Sequence, residues 1–320
     1  MKRGENNSSN NGSIVKKKGK IIPVLLISIV VVTVVSFLSI FLYRVIKTNI
    51  QKKPTVTRLQ IEWSEKDYAG VYNTSDKLLE KNPLNNTALT YHGYSAFYIG
   101  VSETDPTIAQ SYIDESIRSL RLALMSAKEK TAPQIKYMLG KAYFYKNIIC
   151  CYHYYADLVV KYLEEAIAEG YSSDDIPELL GLSYGQLGMP YDSIKSFSDA
   201  LLIRESDFLL FNIAKEYYAQ GQISAAKQYL YQVTSKACDD ALLLKSQNLL
   251  AKIYMEEDKI DEARELYEQI LDKDQNSAEA HYGLGLVYEL SGDVVKARAE
   301  YRKCLKIDST FDEAVKKVYK

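Results

Sequence analysis

Three side chains that could bind a metal lie within four residues, at Cys150, Cys151 and His153. Thiolate and imidazole groups are the ligands that zinc and other soft metals prefer. Adjacent cysteines do not easily reach one tetrahedral ion together, and the sequence has no second cysteine pair at a zinc spacing. We therefore expect no metal and no cofactor, and interpret the triplet as inert side chains in an inserted loop. A metal-binding or enzymatic protein built on this insertion stays the alternative.

Other catalytic signals are sparse. The remaining histidines, His92 and His281, lie in distant segments without a carboxylate or cysteine motif beside them, and no Gly-rich phosphate loop, Gly-x-Ser-x-Gly elbow or His-Glu-x-x-His helix is present. The four cysteines, with Cys238 and Cys304 as the other two, have no spacing that demands a disulfide. The sequence thus predicts a non-enzymatic protein without an evident small-molecule substrate.

A pattern of small and aromatic residues recurs 34 residues apart, in 244–277 and 278–311. The later segment places its patterned residues on two predicted helices, Leu284, Gly285 and Tyr288 on the first and Ala297, Tyr301 and Cys304 on the second, with Gly292 at the turn. Small residues such as Gly285 allow two helices to approach closely, and the larger side chains fill the space on either side. Neither helix could bury its apolar stripe alone, so each segment needs its neighbours.

The pattern resembles the tetratricopeptide repeat (TPR) family, and the resemblance implies an all-α fold, an α-solenoid of about six to seven helical hairpins. The strongest repeats are 174–207, 207–240, 244–277 and 278–311, and divergent repeats are 52–85, 86–130 and 133–173. Residues 101–110 are predicted to form a lengthened loop, and Gly140 and Ala166 lie seven residues further apart than their counterparts Gly285 and Cys304. Apolar residues at helical spacing predict a capping helix at 311–320.

The N-terminal region predicts a single transmembrane helix before the solenoid of residues 56–320. Residues 21–43 are 23 consecutive residues without a charge, long enough for a bilayer core at about 1.5 Å per residue. The run has no small-residue cleavage site at its end, which favours an uncleaved anchor over a signal peptide. Residues 1–20 are expected to be a disordered basic leader, and residues 44–55 a basic juxtamembrane linker.

Charge separates the N-terminal region from the repeats. The first 58 residues carry a net charge of +10, and since the whole chain carries −1, residues 59–320 carry −11. The repeats therefore lack the basic surface that nucleic acids require, and the basic flanks of 21–43 suit anionic lipid headgroups. The lysine-rich leader favours a cytoplasmic N-terminus with the repeats exported, at a bacterial inner membrane, although the charges on the two flanks nearly balance. A cytosol-facing receptor or a chaperone-docking TPR protein is the alternative.

In the TPR family the first helix of each hairpin lines a concave groove, with its second, fifth, ninth, twelfth and thirteenth positions facing it. These positions imply a groove for partner proteins or peptide segments. Its N-terminal part would contain Tyr94, Phe97, Tyr98, Tyr137, Phe144 and Tyr145. Its C-terminal part would contain Phe211, Lys215, Tyr218, Lys245, Asn248, Lys252, Met255 and Tyr282.

The lysines of this groove support an interaction with acidic segments, although a solvated charged face explains exposed lysines equally well. Some TPR proteins bind chaperone C-termini through a two-carboxylate clamp, and Asn212 and Lys245 match two of its positions. Glu178, Leu182 and Leu249 stand where the clamp needs Lys, Asn and Arg, so that clamp is not supported. The sequence predicts a membrane-anchored interaction scaffold or assembly factor of the cell envelope, similar to bacterial translocon accessory subunits with one N-terminal span.

Overall fold

The computed structural model describes residues 33–44, 53–150, 154–236 and 239–319, and these residues form sixteen α-helices without a β-strand. Helix α1 covers 33–44. The others are α2 (Val56–Ser64), α3 (Tyr68–Lys81), α4 (Asn86–Ser102), α5 (Pro106–Met125), α6 (Ala132–Cys150), α7 (Ala156–Ala168), α8 (Ile176–Gln186), α9 (Pro190–Ile203), α10 (Asp207–Ala219), α11 (Ile223–Lys236), α12 (Asp240–Glu256), α13 (Ile260–Lys273), α14 (Ala278–Leu290), α15 (Val294–Ile307) and α16 (Asp312–Tyr319).

From α2 onward the helices form a stack of hairpins. Each helix packs against the next one along the chain, and first helices of neighbouring hairpins also touch, as α4 touches α6 and α12 touches both α10 and α14. Buried side chains occur along the whole stack, so every hairpin shares its apolar surface with its neighbours. The prediction of an all-α solenoid is confirmed.

Close helix approach depends on small residues at the predicted positions. A Cβ atom at Gly285 would lie 2.3 Å from Cε1 of Tyr301, so the tyrosine ring occupies the space that any other residue on α14 would need. At Gly93 the added Cβ would lie 2.5 Å from Cγ of Leu120 in the same way. A glycine in a helix costs about 0.8–1 kcal/mol relative to alanine, and here the burial of the facing side chain offsets that cost.

A three-residue turn connects the helices of five hairpins, and its central residue has a positive φ. That residue is Gly188, Gly221 or Gly292 in three hairpins, with φ of 68°, 72° and 80°. Asp258 (φ 61°) and Lys66 (φ 58°) occupy the same place between α12 and α13 and between α2 and α3. In every case the next amide donates to a carbonyl five residues earlier, which closes the first helix.

Aromatic side chains dominate the N-terminal end of the stack. Trp63, the single tryptophan of the chain, has four tyrosine rings around it with centroids 5.6–5.8 Å away, those of Tyr68, Tyr91, Tyr94 and Tyr98. Such edge and tilted contacts add about 0.5–1.5 kcal/mol each beyond the burial of apolar area. The many tyrosines are therefore partly explained by packing.

Only some of the tyrosines that occupy the position of Tyr288 in the last five repeats are fully part of the core. Tyr143 and Tyr184 are buried. Tyr217, Tyr254 and Tyr288 are half-buried and pack one face against neighbouring core clusters.

Two sequence expectations about loops are wrong. Residues 101–110 do not form a lengthened loop, because α4 continues to Ser102 and α5 begins at Pro106. The carboxylate of Asp105 accepts hydrogen bonds from the amides of Thr107 (2.8 Å) and Ile108 (3.2 Å), and proline is well suited to the first turn of a helix. The insertion in 133–173 is also partly helical, since α6 extends to Cys150.

The N-terminal predictions lie largely outside the described residues. These include the leader 1–20 and residues 21–32 of the predicted membrane helix, whereas residues 33–43 belong to α1. In the part of the chain that is described, no helix combines the length and the apolar character needed to cross a bilayer.

At the other end of the stack, α16 covers α15. Ala314 is fully buried, and the ring of Phe311 packs against Tyr282 with centroids 5.1 Å apart. The ammonium group of Lys317 lies 2.8 Å from the carboxylate of Glu289. This short helix therefore closes the apolar surface that the last hairpin would otherwise expose.

Candidate functional site

A cleft of about 580 Å³ lies on the first helices of the last three hairpins. We call it the C-terminal cleft. Its lining residues are Phe211, Lys215, Lys245, Asn248, Leu249, Lys252, Tyr267, Glu279, Tyr282, Leu286, Phe311 and Glu313. Six of the eight residues predicted for the C-terminal part of the groove are thus brought together in one site.

Helical spacing accounts for this convergence. On α12, Lys245, Asn248 and Lys252 stand at i, i+3 and i+7, which places all three on one face of the helix. Phe211 and Lys215 have the i, i+4 relationship on α10, and α10 touches α12 directly. Neighbouring first helices therefore present their side chains to the same cleft.

Within the described residues, the lysines of the cleft have no carboxylate partner in an ion pair. Lys215, Lys245 and Lys252 are exposed, and none of them makes an ion pair with another described residue. The ammonium group of Lys252 lies 5.3 Å above the ring centroid of Tyr218. That contact is a cation–π interaction, which leaves the ammonium group able to donate hydrogen bonds to a ligand.

The floor of the cleft is aromatic and closely packed. Tyr267 is 4 % exposed, and its ring lies against Gly283, where a Cβ would come within 2.2 Å of Cζ. Burial raises the pKa of Tyr267 above its ordinary value, so its hydroxyl stays protonated. Tyr282 packs against Phe311 on one side and Tyr301 on the other, with centroids 5.1 and 5.6 Å away. A ligand would therefore meet pre-ordered rings.

The other wall of the cleft carries two carboxylates. Glu279 on α14 and Glu313 on α16 are exposed, and neither makes an ion pair with another described residue. Sequence reasoning missed both of them. Glu279 and Leu286 occupy the second and ninth positions of repeat 278–311, so the repeat frame could have identified them. Glu313 and Phe311 come from the cap, for which that frame has no positions.

Tyr218 and Met255 are placed differently from the prediction. The Tyr218 hydroxyl donates to the carboxylate of Glu256, and its ring faces Lys252 at the edge of the cleft. Met255 is half-buried and packs against the core cluster to which Tyr267 belongs. Neither of them lines the C-terminal cleft.

Most of the aromatic residues predicted for the N-terminal part of the groove are buried in the core. Four of its six aromatic residues are core side chains, with Tyr94, Phe97, Tyr137 and Phe144 only 2–8 % exposed. Of the other two, Tyr98 stacks on Tyr68 with centroids 4.5 Å apart. These rings fill the spaces between helices, and most of their area is not available to a partner.

A second cleft, of about 570 Å³, is lined by Phe144 and Tyr145, and four of its charged side chains form ion pairs within the protein. Lys141 lies 2.8 Å from Asp175, and Arg204 lies 2.7 Å from Glu178. A charged ligand would have to compete with these contacts. The C-terminal cleft is therefore the stronger candidate site.

The histidines have partners that the sequence does not reveal. Nδ1 of His281 lies 2.6 Å from the Glu300 carboxylate, and Nε2 lies 3.2 Å from the carbonyl oxygen of Gln275. Nδ1 of His92 lies 3.1 Å from the Ser119 hydroxyl. Helices that no sequence motif indicates thus supply carboxylates to both rings, Glu300 to His281 and, 3.9 Å from Nε2, Glu115 to His92.

The cysteine triplet is only partly described. Cys150 is half-buried at the end of α6, and Cys151 and His153, like Cys238, lie outside the described residues. Over the described ranges, no group of three His, Cys, Asp or Glu side chains could hold a metal ion. Cys304 is fully buried, and burial raises the pKa of its thiol to about 11.

Comparison with known proteins agrees with this architecture. Residues 248–310 match the tetratricopeptide repeat family. The apo form of the quorum sensor NprR from B. thuringiensis has a TM-score of 0.57 at 18% identity, covering 82% of this chain and 78% of that one. The C-terminal part of a TPR repeat-containing protein from Cytophaga hutchinsonii has a TM-score of 0.56 at 14% identity, covering 82% of this chain and 99% of that one.

A third similar structure is a tetratricopeptide repeat protein from Parabacteroides merdae, with a TM-score of 0.50 at 14% identity, covering 82% of this chain and 96% of that one. No curated protein sequence matches the chain. At these identities the likeness shows the fold, and the function must be argued from the cleft itself.

Proposed function

We propose that this TPR-type helical repeat protein is a non-enzymatic scaffold that binds an acidic segment of a partner protein in its C-terminal cleft. One observation carries the proposal: three exposed lysines, which form no ion pair with any described residue, converge on an aromatic floor. Helical repeats of this type are suited to protein–protein interaction, since consecutive hairpins form one extended surface.

The aromatic side chains and the lysines of the cleft have different roles in binding. Apolar rings such as Tyr282 and Phe311 provide buried contact area, and they lose little conformational entropy because their neighbours already hold them. The lysines provide selectivity and a faster encounter with acidic partners, since each solvent-exposed ion pair adds only about 0.2–1 kcal/mol. We therefore expect binding to weaken as salt concentration rises.

A membrane location is part of the proposal. The uncharged run 21–43, with lysine-rich residues before it and basic residues after it, supports an N-terminal anchor whose flanks contact anionic lipid headgroups. The leader 1–20 would stay in the cytoplasm, and residues 55–320 would face the exterior of a bacterial inner membrane. In that position the scaffold would serve assembly at the cell envelope.

Charge reversal in the cleft tests the binding function. In the full-length protein, changing Lys215, Lys245 and Lys252 to Glu should weaken partner binding by roughly 1–3 kcal/mol, a fivefold to hundredfold loss. The measurement is quantitative crosslinking in intact membranes at several salt concentrations, with identification of the captured proteins. Circular dichroism should show unchanged helicity, because exposed lysines contribute little to helix packing.

A matched control separates the cleft from overall charge. Lys77, Lys128 and Lys195 are exposed, make no ion pair with another described residue and lie outside the cleft. Changing these three to Glu alters the net charge by the same amount and should leave the captured partners unchanged. If both triple variants capture the same partners at wild-type yield and salt dependence, the lysine face is only solvated surface.

Thiol labelling tests the orientation. In a chain whose native cysteines are replaced by serine, a single cysteine is introduced at Ser309, which is exposed between α15 and α16. An extracytoplasmic repeat domain should react with a membrane-impermeant reagent in intact spheroplasts, whereas a cysteine introduced at Ser9 should react only after lysis. The opposite pattern would support the cytosol-facing receptor instead.

A further inference from the structure

The C-terminal cleft is polarised along the direction of helix stacking. Its cationic side is made by Lys215 on α10 and by Lys245 and Lys252 on α12. Its anionic side is made by Glu279 on α14 and Glu313 on α16. Opposite charges on adjacent helices commonly pair across a surface, but these groups line one cavity without forming an ion pair between them.

A purely acidic partner does not fit this arrangement. Its acidic groups would meet Lys215 and Lys245 favourably at one end, but continued acidic sequence would meet Glu279 and Glu313 at the other. Like charges that face each other oppose binding and suppress wrong partners. The carboxylates thus restrict which acidic segments the cleft accepts.

We propose that the occupant is a short extended segment with acidic residues at one end, an apolar or aromatic centre and a basic residue at the other end. This inference rests on the proposed function and specifies its ligand. The acidic end lies over α10 and α12, the centre over Tyr267 and Tyr282, and the basic residue between Glu279 and Glu313. The cleft therefore fixes which end of the segment lies over which helices.

Helix spacing gives the length of this segment. The helices α10, α12 and α14 touch in sequence, and packed helices lie about 8–10 Å apart, so α10 and α14 are separated by roughly 16–20 Å. An extended chain covers about 3.3–3.6 Å per residue. About five or six residues therefore separate the first acidic residue from the basic one.

The electrostatic surroundings of Tyr282 agree with an anionic side of the cleft. Burial raises the pKa of this tyrosine first, and the negative charge of Glu313 raises it further. Glu313 therefore stands close enough to act on the centre of the cleft. A lysine or arginine of the partner would lower the repulsion that this carboxylate exerts on acidic ligands.

Synthetic peptides provide the test. Three fluorescent nonapeptides share an amino end Glu-Asp-Glu and a centre Phe-Ser-Leu, and they end in Lys-Ser-Lys, Gln-Ser-Gln or Glu-Ser-Glu. Binding to the full-length protein in detergent micelles is measured by fluorescence anisotropy. We expect the Lys-ended peptide to bind roughly three- to tenfold more tightly than the Gln-ended one, and the Glu-ended peptide to bind most weakly.

Substitutions on the anionic and cationic sides of the cleft distinguish the polarity inference from the acidic-segment proposal. In the Glu279→Gln, Glu313→Gln double variant, the preference for the Lys end should disappear while the acidic end still contributes. With Glu279→Lys and Glu313→Lys the order of the three peptides should invert. Equal affinity of the three peptides for the wild type would overturn the polarity inference, provided that the triple lysine variant still loses binding. Absence of binding by all three, or binding insensitive to the lysine triple variant, would overturn the acidic-segment proposal as well.

Discussion

The charge state of a buried residue cannot be read from the sequence, and His92 is the clearest case in this protein. Its ring is buried, stacks on Tyr72 with centroids 4.5 Å apart, and has Nε2 3.9 Å from the carboxylate of Glu115. Burial lowers the pKa of His92 below its ordinary value, and the negative charge of Glu115 offsets only part of that effect. His92 is therefore neutral in the folded protein at neutral pH.

Mild acid should destabilise the fold through this residue. The folded state binds the proton less readily than the unfolded chain, so the stability associated with neutral His92 is complete above the unfolded pKa of about 6.5. This stability is lost as the pH falls below that value towards the lower pKa that His92 has in the folded state. Urea unfolding between pH 7.5 and 5 should show a steeper fall for the wild type than for His92→Gln, which we expect to be about 1 kcal/mol less stable at pH 7.5. Parallel curves for the two proteins would contradict this prediction.

The partners of the histidines show what sequence reasoning misses at this scale. Ser119 is 27 residues from His92, and Glu300 is 19 residues from His281. Local motif searches look for ligands a few residues apart, whereas helical hairpins bring together side chains from opposite helices. The recurring positions of small and aromatic residues predicted which helices pair, but the rotation of each helix decides which polar groups meet.

The five three-residue turns between helices share one backbone geometry but differ in their central residue. Where glycine occupies the positive-φ position, as in Gly221 and Gly292, the backbone adopts it without steric cost. Lys66 adopts the same region with a φ of 58°, and a residue with a Cβ pays about 1–2 kcal/mol for that conformation. The turn between α2 and α3, like the turn centred on Asp258, therefore carries a local cost that the glycine-centred turns lack.

Replacement of Lys66 by Gly should stabilise the protein. Relief of the left-handed conformation exceeds the extra entropy that glycine brings to the unfolded chain, and we expect a gain of about 0.5–1 kcal/mol. Chemical denaturation followed by circular dichroism measures it. The control is Lys77→Gly, inside α3, which should lose about 1 kcal/mol because glycine disfavours a helix interior. A destabilised Lys66→Gly variant would show that the lysine side chain contributes more than its backbone conformation costs.

Contacts between hairpins decide which of the predicted groove residues are accessible. Phe97 on α4 meets Tyr145 of α6 with centroids 5.4 Å apart, so the next hairpin covers it. Phe211 on α10 and Tyr282 on α14 instead line the C-terminal cleft. Helix length does not separate the two cases, because α12 has 17 residues, as α4 does, and still contributes lysines to the cleft. The repeat period was readable from the sequence, but the rings that a neighbouring hairpin covers were not.

The stability of the whole molecule depends on contacts between neighbouring hairpins. Its last helix therefore has a disproportionate effect on stability. Cys304 on α15 and Ala314 on α16 are both fully buried in the contact between these helices. No further hairpin follows within the described residues to replace that contact. In a one-dimensional stack, loss of an end unit exposes the apolar surface of the unit before it.

Truncation after Ser309 should therefore destabilise the last hairpin. We expect the melting temperature to fall by on the order of 5 °C and the Cys304 thiol to become reactive towards alkylating reagents at pH 8. In the intact protein burial protects this thiol and holds its pKa at about 11. The control is Lys317→Ala, which removes only the ion pair with Glu289 and should change both readouts little. Unchanged thiol reactivity after truncation would mean that α16 does not act as a cap.

The position of Trp63 gives the molecule an internal optical probe. The indole sits at one end of the stack among four tyrosines less than 6 Å away, close enough for their excitation energy to reach it. Emission excited through tyrosine would then report on the first hairpins alone, while far-ultraviolet circular dichroism averages over the solenoid. If the stack frays from its ends, the fluorescence transition in urea should precede the dichroism transition, and coincident transitions would show that hairpins at both ends unfold as one cooperative unit.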